Sequence, residues 1–116
     1  MPGYIDEEEI VKLTGSAYAI VYPSLWEGFG VPVLEAMNCH VPALTSANSA
    51  MEEIAGDAAL YFDPKNHEDI AEKMMRIYKD EDLRKQLIEK GKSVSKQYSW
   101  DKTAELLWNC IQKTVI

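Results

Sequence analysis

The chain has 116 residues with 19 acidic against 12 basic side chains, a net charge of −7. It is therefore one domain at most, and it carries the wrong sign for nucleic acid or an anionic membrane as its main partner. Its 47% hydrophobic and 27% charged residues are ordinary for a soluble globule with a core, and neither a membrane-spanning apolar run nor a signal peptide is expected.

In chain order, Pro2, Gly3, Tyr4 and Ile5 resemble the end of a preceding element. Asp6 with Glu9 three residues later is a capping-box spacing, so a helix is expected from Glu7, with Ile10, Val11 and Leu13 on its apolar face and Gly15 at its end. The apolar run 19–22, closed by Pro23, predicts a buried strand. Next comes Glu27-Gly28-Phe29-Gly30, where two glycines permit tight, positive-φ turns, and then Pro32, which suits the start of a helix because it has no N–H to leave unpaired. A helix is expected over 31–39, a second strand over 42–45, and a short helix over 50–55 that Ser46, Asn48 or Ser49 can cap and Gly56 stops. A third strand is expected over 59–62, turned by Asp63-Pro64.

Beyond Pro64 the periodicity is helical throughout. Asn66 caps a helix facing inward with Ile70, Met74, Ile77 and Tyr78, and Asp80 caps the next, with Leu83, Leu87, Ile88, Val94 and Tyr98 inward and Gly91 interrupting it. Ser99 caps the last, with Ala104, Leu107, Trp108, Ile111 and Val115 inward. Strands alternating with helices predict a parallel α/β sheet with right-handed crossovers. The expected fold is thus a three-layer Rossmann-like partial domain, a short parallel sheet of about three to four strands followed by C-terminal helices.

The strand, glycine loop and helix around 19–39 form an anion-binding arrangement. Unpaired N–H groups gather at the positive end of a helix dipole, which suits a phosphate. Glu27 and Glu35 flank this loop, one before the glycines and one about a turn into the helix. Asp80-Glu81-Asp82 has metal-binding spacing but opens a helix, so it is read as a cap. His40 and His67 are too isolated for a metal site, and no metal or other cofactor is expected. Arg84, Lys85, Lys90, Lys92 and Lys96 are read as a solvated face, with peripheral membrane contact as the lesser alternative. Cys39 and Cys110 lie in apolar helical patterns and are read as reduced core thiols of a cytoplasmic protein.

Glu27 and Glu35, enclosing Gly-Phe-Gly-Val-Pro-Val-Leu, resemble the signature of retaining glycosyltransferases built from two Rossmann-like domains, the GT-B fold of the group 1, family 4 type. The resemblance continues through Pro42-Ala43-Leu44-Thr45-Ser46, Glu53, Gly56-Asp57-Ala58-Ala59-Leu60-Tyr61-Phe62-Asp63-Pro64, and the tail Asp82-Leu83-Arg84, Gly91 and Tyr98-Ser99-Trp100. It implies a C-terminal donor-binding domain, truncated on its N-terminal side, that takes part in moving a sugar from a nucleoside-diphosphate donor to an acceptor hydroxyl. It implies that Glu35 binds the ribose hydroxyls and that Glu27 lies at the donor sugar near the anomeric carbon. Gly28, Phe29, Gly30 and Val31 would then present main-chain N–H groups to sugar and diphosphate. The acceptor would be bound mainly by a missing N-terminal domain, and the 116 residues alone are expected to be inactive. Two departures from the family pattern stand out. His40 replaces a glycine, which forces left-handed backbone or a different helix end, and Glu52 replaces a proline. Alternatives are another GT-B-type enzyme, such as a nucleotide-sugar epimerase or phosphorylase relative, and a non-catalytic doubly wound interaction module using Asp63.

Overall fold

The computed structural model describes residues 3–115; Pro2, read as part of a preceding element, lies outside them. Three strands, β1 (Ile20–Tyr22), β2 (Ala43–Ser46) and β3 (Ala59–Phe62), form one parallel sheet in the order β1-β2-β3. Six helices accompany them: α1 (Glu7–Ser16), α2 (Val31–Asn38), α3 (Ala50–Ala55), α4 (His67–Lys79), α5 (Glu81–Ser95) and α6 (Trp100–Thr114). The α/β class, the parallel short sheet and the helical C-terminal half are as the sequence predicts.

Register divides the core in two. Ile20, Ala43 and Ala59 lie side by side, as do Val21, Leu44 and Leu60 one residue on, and successive strand residues face opposite sides of the sheet. Ala43 and Ala59 meet Val33, Leu34 and Met37 of α2 and Met51 and Ala55 of α3 on one side. Leu44, Leu60 and Phe62 meet Ile77 of α4 and Leu87 of α5 on the other. The small strand residues on the α2 side let that helix lie close to the sheet. Gly91 does the same between helices, because a Cβ there would sit 3.0 Å from Met37 Cγ. Gly91 therefore lies inside an unbroken α5 as a contact point, rather than interrupting it.

The helix ends follow their caps with a few exceptions. Asp6, Asn66, Asp80 and Ser99 each accept a main-chain N–H at the start of their helix, so Asp80 is a cap, as read. Ser49 occupies the α3 N-cap, but its hydroxyl donates to Ser46 O instead, and Glu52 accepts the Asn48 N–H at 2.7 Å. Gly15 stays helical, and α1 ends on an extended Ala17. At the end of α2, His40 N–H donates to Met37 O and Val41 N–H to Ala36 O, the double closure that favours glycine at the left-handed position. His40 holds that position with φ 59°.

Three surfaces depart from the amphipathic reading, the first being α1, which buries no residue and leaves Ile10, Val11 and Leu13 exposed. The face of α6 expected to be inward is open: no residue of α6 is buried, and Trp108 is 59% and Val115 79% exposed. Periodicity marks an apolar face but not what covers it, and none of the described elements reaches this one. The radius of gyration, 15.9 Å, accordingly exceeds the roughly 13 Å of a compact chain this long. An apolar groove of about 480 Å³ also runs between Val21 of the edge strand β1 and Met74, Met75 and Tyr78 of α4. Met74 and Tyr78 are therefore exposed rather than core, and the thiol of Cys110 is exposed too. The basic face is only partly free: Arg84 lies 4.2 Å over the Tyr18 ring and donates to Tyr18 O, and Lys90 pairs with Asp57.

Replacing His40 by glycine should stabilise the fold by about 1 kcal/mol, since it removes a Cβ from left-handed backbone. Urea unfolding measures this, and a lower midpoint for H40G would contradict the strain assigned here.

Candidate functional site

The loop between β1 and α2 is held from beneath by two buried side chains. Thr45 and Ser46 of β2 are fully covered, and covered hydroxyls need partners. Thr45 Oγ1 donates to Tyr22 O at 3.1 Å and Ser46 Oγ to Ser24 O at 2.6 Å. These bonds extend the β1–β2 pairing past the end of β1 and fix the backbone of 22–24. Side chains of that segment then hold Glu27: Tyr22 donates its phenol to Glu27 Oε1 at 2.5 Å, and Ser24 Oγ lies 3.1 Å from the same oxygen. Ser24 Oγ is also 3.1 Å from Trp26 O, so its one proton is shared. Glu27 Oε2 has no partner among the described residues. The Tyr22 phenol is pushed above its usual pKa by its hydrogen bond to Glu27, then by burial and by the carboxylate charge.

Gly30 ends the loop as the N-cap of α2, with φ 93°. Its glycine character has a packing cause, because a Cβ would come within 2.4 Å of Met51 Cγ. Gly28 differs: its φ is not positive, and a Cβ there would meet nothing within 4 Å. Of the two glycines expected to relieve a tight turn, only Gly30 does so. Phe29 is 42% exposed and packs edge-to-face on Tyr98, ring centres 5.6 Å apart, so it clips the loop to the segment after α5 instead of plugging the core. Pro32 is the second residue of α2. Among the described residues nothing accepts the N–H groups of Gly28, Phe29, Gly30 or Val31, whereas Val33 N–H already donates to Gly30 O. Four main-chain donors thus stand free at the positive end of α2.

Glu27 forms one wall of a hollow of about 550 Å³, which Trp26 shares and which Asn48, Ser49, Glu52 and Glu53 close from the opposite side. Glu35 does not line this hollow. It is exposed in the second turn of α2, about 6 Å along the axis from Val31 at ~1.5 Å per residue, and its carboxylate has no partner among the described residues. The two acidic residues therefore do not share this cavity. Asp63, the alternative site, is committed to a turn: its Oδ1 accepts Lys65 N–H, and its own N–H goes to Asp69. Among the described residues no group of three or more His, Cys, Asp or Glu is placed to hold a metal ion. Motif reading matches Thr45 and Ser46 but gives neither them nor Tyr22 these roles, which depend on contacts across strands.

Comparison with known proteins identifies the family. The family model described as glycosyl transferases group 1 matches residues 1–94. The O-antigen chain mannosyltransferase B of Escherichia coli is 35% identical over 113 residues, covering 97% of this chain and 28% of that protein. The serotype-specific mannosyltransferase WbdA of Escherichia coli is 33% identical over 104 residues, covering 90% of this chain and 13% of its own length. A sucrose-phosphate synthase from Thermosynechococcus elongatus shares the fold with a TM-score of 0.88 at 24% identity, covering 97% of this chain and 29% of that one. This chain thus spans less than a third of each of these proteins.

Two substitutions separate the roles in the loop. G30A should cost about 2 kcal/mol or more through Met51 and the positive φ, while G28A should stay within about 0.5 kcal/mol; equal losses on denaturant unfolding would refute the distinction. Y22F should cost about 1–2 kcal/mol at neutral pH by removing the hydrogen bond to Glu27. Because folding raises the Tyr22 pKa above 10.0, this contribution stands below that value and fades as the pH rises through the folded one. Wild-type and Y22F stabilities should therefore converge in alkali, and a gap that persists there would count against the bond.

Proposed function

Because this chain belongs to the glycosyl transferases group 1 family, we propose that it is the nucleotide-sugar-binding part of a retaining glycosyltransferase. The reaction is transfer of a glycosyl unit from a nucleoside-diphosphate sugar to an acceptor hydroxyl, with the anomeric configuration kept. The reading rests on the four free N–H groups of residues 28–31, set between two partnerless carboxylate functions, Glu27 Oε2 and Glu35. An extended donor matches that order. Its glycosyl end enters the hollow at Glu27, its diphosphate lies on the N–H groups, and its ribose reaches Glu35. A ligand of this length needs no single cavity shared by the two acids.

The chemistry follows from the donors and charges present. N–H groups at a helix start neutralise a diphosphate without a metal ion, and they hold it as charge grows on the leaving group. An ionised carboxylate is acceptor-only, so Glu35 can take both ribose hydroxyls. Glu27, with Oε1 occupied by Tyr22 and Ser24, keeps Oε2 for a sugar hydroxyl. Its charge there favours the positive character that the anomeric carbon gains as the bond to the diphosphate breaks. We assign the acceptor to a second domain of a longer protein, as the chain's small share of its relatives' length suggests. The 116 residues alone then bind donors weakly and transfer nothing. We place the protein in the cytoplasm, in keeping with its unpaired thiols Cys39 and Cys110, with any membrane contact peripheral.

The test is an NMR titration of the chain with UDP-glucose, GDP-mannose and ADP-glucose. At least one should shift the amides of Gly28, Phe29, Gly30 and Val31, and E35A should weaken that binding about 10- to 100-fold, the equivalent of a hydrogen-bonded charge. Donor binding that leaves those amides still, or that E35A does not alter, would refute the assignment.

A further inference from the structure

We propose that the hollow beside Glu27 admits an uncharged, hydroxyl-rich glycosyl unit and rejects one that carries a carboxylate, such as a hexuronate. The inference rests on the donor-site reading above and narrows it to a class of sugar.

The hollow's walls carry the argument. Glu27, Glu52 and Glu53 line it together, and no Lys, Arg or His does. Glu52 and Glu53 are exposed, and no basic side chain pairs with any of the three among the described residues. Glu52 spends one oxygen on the Asn48 N–H, which leaves its charge unneutralised. The remaining wall suits a neutral sugar. Trp26 is 89% exposed, with an indole free to cover the C–H face of a pyranose. The side-chain amide of Asn48 has no partner among the described residues and can both donate to and accept from hydroxyls. Carboxylates accept from hydroxyls and repel another carboxylate, so the lining attracts one class of sugar and excludes the other. The same reasoning keeps the diphosphate out of the hollow and on the N–H groups of 28–31. The repulsion acts over several ångströms through a partly wet site, so it is sensitive to salt.

The experiment compares donors that differ only at C6. The chain is titrated with UDP-glucose against UDP-glucuronate, GDP-mannose against GDP-mannuronate and ADP-glucose against ADP-glucuronate, at about 20 mM and about 500 mM salt. In the pair whose nucleotide binds, the neutral donor should bind at least tenfold tighter at low salt, and the preference should shrink at high salt. E52Q/E53Q should reduce the preference at least fivefold; should that variant fail to fold, E53Q alone should reduce it at least twofold. Equal affinity within the pair, or a preference that neither salt nor these substitutions change, would overturn the selectivity while leaving the donor site standing. If no member of any of the three pairs shifts the 28–31 amides, the donor-site reading itself falls, and this inference with it.

Discussion

The site depends on two hydroxyls that the fold has buried. Thr45 and Ser46 sit buried in the middle strand and bond to acceptors at hand, Thr45 to the Tyr22 carbonyl and Met51 Sδ, Ser46 to the Ser24 carbonyl. This fixes the chain leaving β1 at the point where it must turn toward α2. The Tyr22 phenol and the Ser24 hydroxyl are thereby aimed at one oxygen of Glu27. A flexible loop carboxylate becomes a group with one oxygen used and one offered. The strand order is what makes this possible, since β2 must lie beside β1 for its side chains to reach those carbonyls.

On the reading proposed above, a diphosphate would bind this loop despite the chain's net charge of −7. The attraction is local. Main-chain N–H groups carry partial positive charge, the start of α2 adds its dipole, and neither enters a count of ionised side chains. Glu27 lies in the hollow and Glu35 a turn into α2, where the proposed donor would meet them with hydroxyls rather than phosphates. Along the chain the order runs from acceptor to donor to acceptor, the order the proposed sugar–diphosphate–nucleoside ligand would need.

The surface left open is as informative as the core. The edge of β1, the groove beside α4 and the apolar face of α6 expose more large hydrophobic side chains than a closed globule tolerates. The groove lies on the opposite side of the sheet from α2, because Val21 shares a face with Leu44 and Leu60.

Much was legible in the residues. Three strands, the helix caps at Asp6, Asn66, Asp80 and Ser99, and the glycine-bounded loop all follow from local rules of pattern and backbone geometry. Local rules could not say that Gly30 is demanded by Met51 or that Gly91 sits in helix because Met37 lies against it. Nor could they say that Phe29 clasps Tyr98, or that Glu27 shares its hollow with Glu52 and Glu53 while Glu35 lies apart. Those facts join residues from separate elements. The apolar stripe of α6 makes the same point in reverse, being plain in the sequence but covered by none of the described elements. What the amino acids determined alone was which backbone each segment prefers and where free N–H groups would gather. Tertiary packing decided which oxygen of Glu27 is spoken for and which glycine is indispensable, because both depend on atoms brought within a few ångströms only when the strands align.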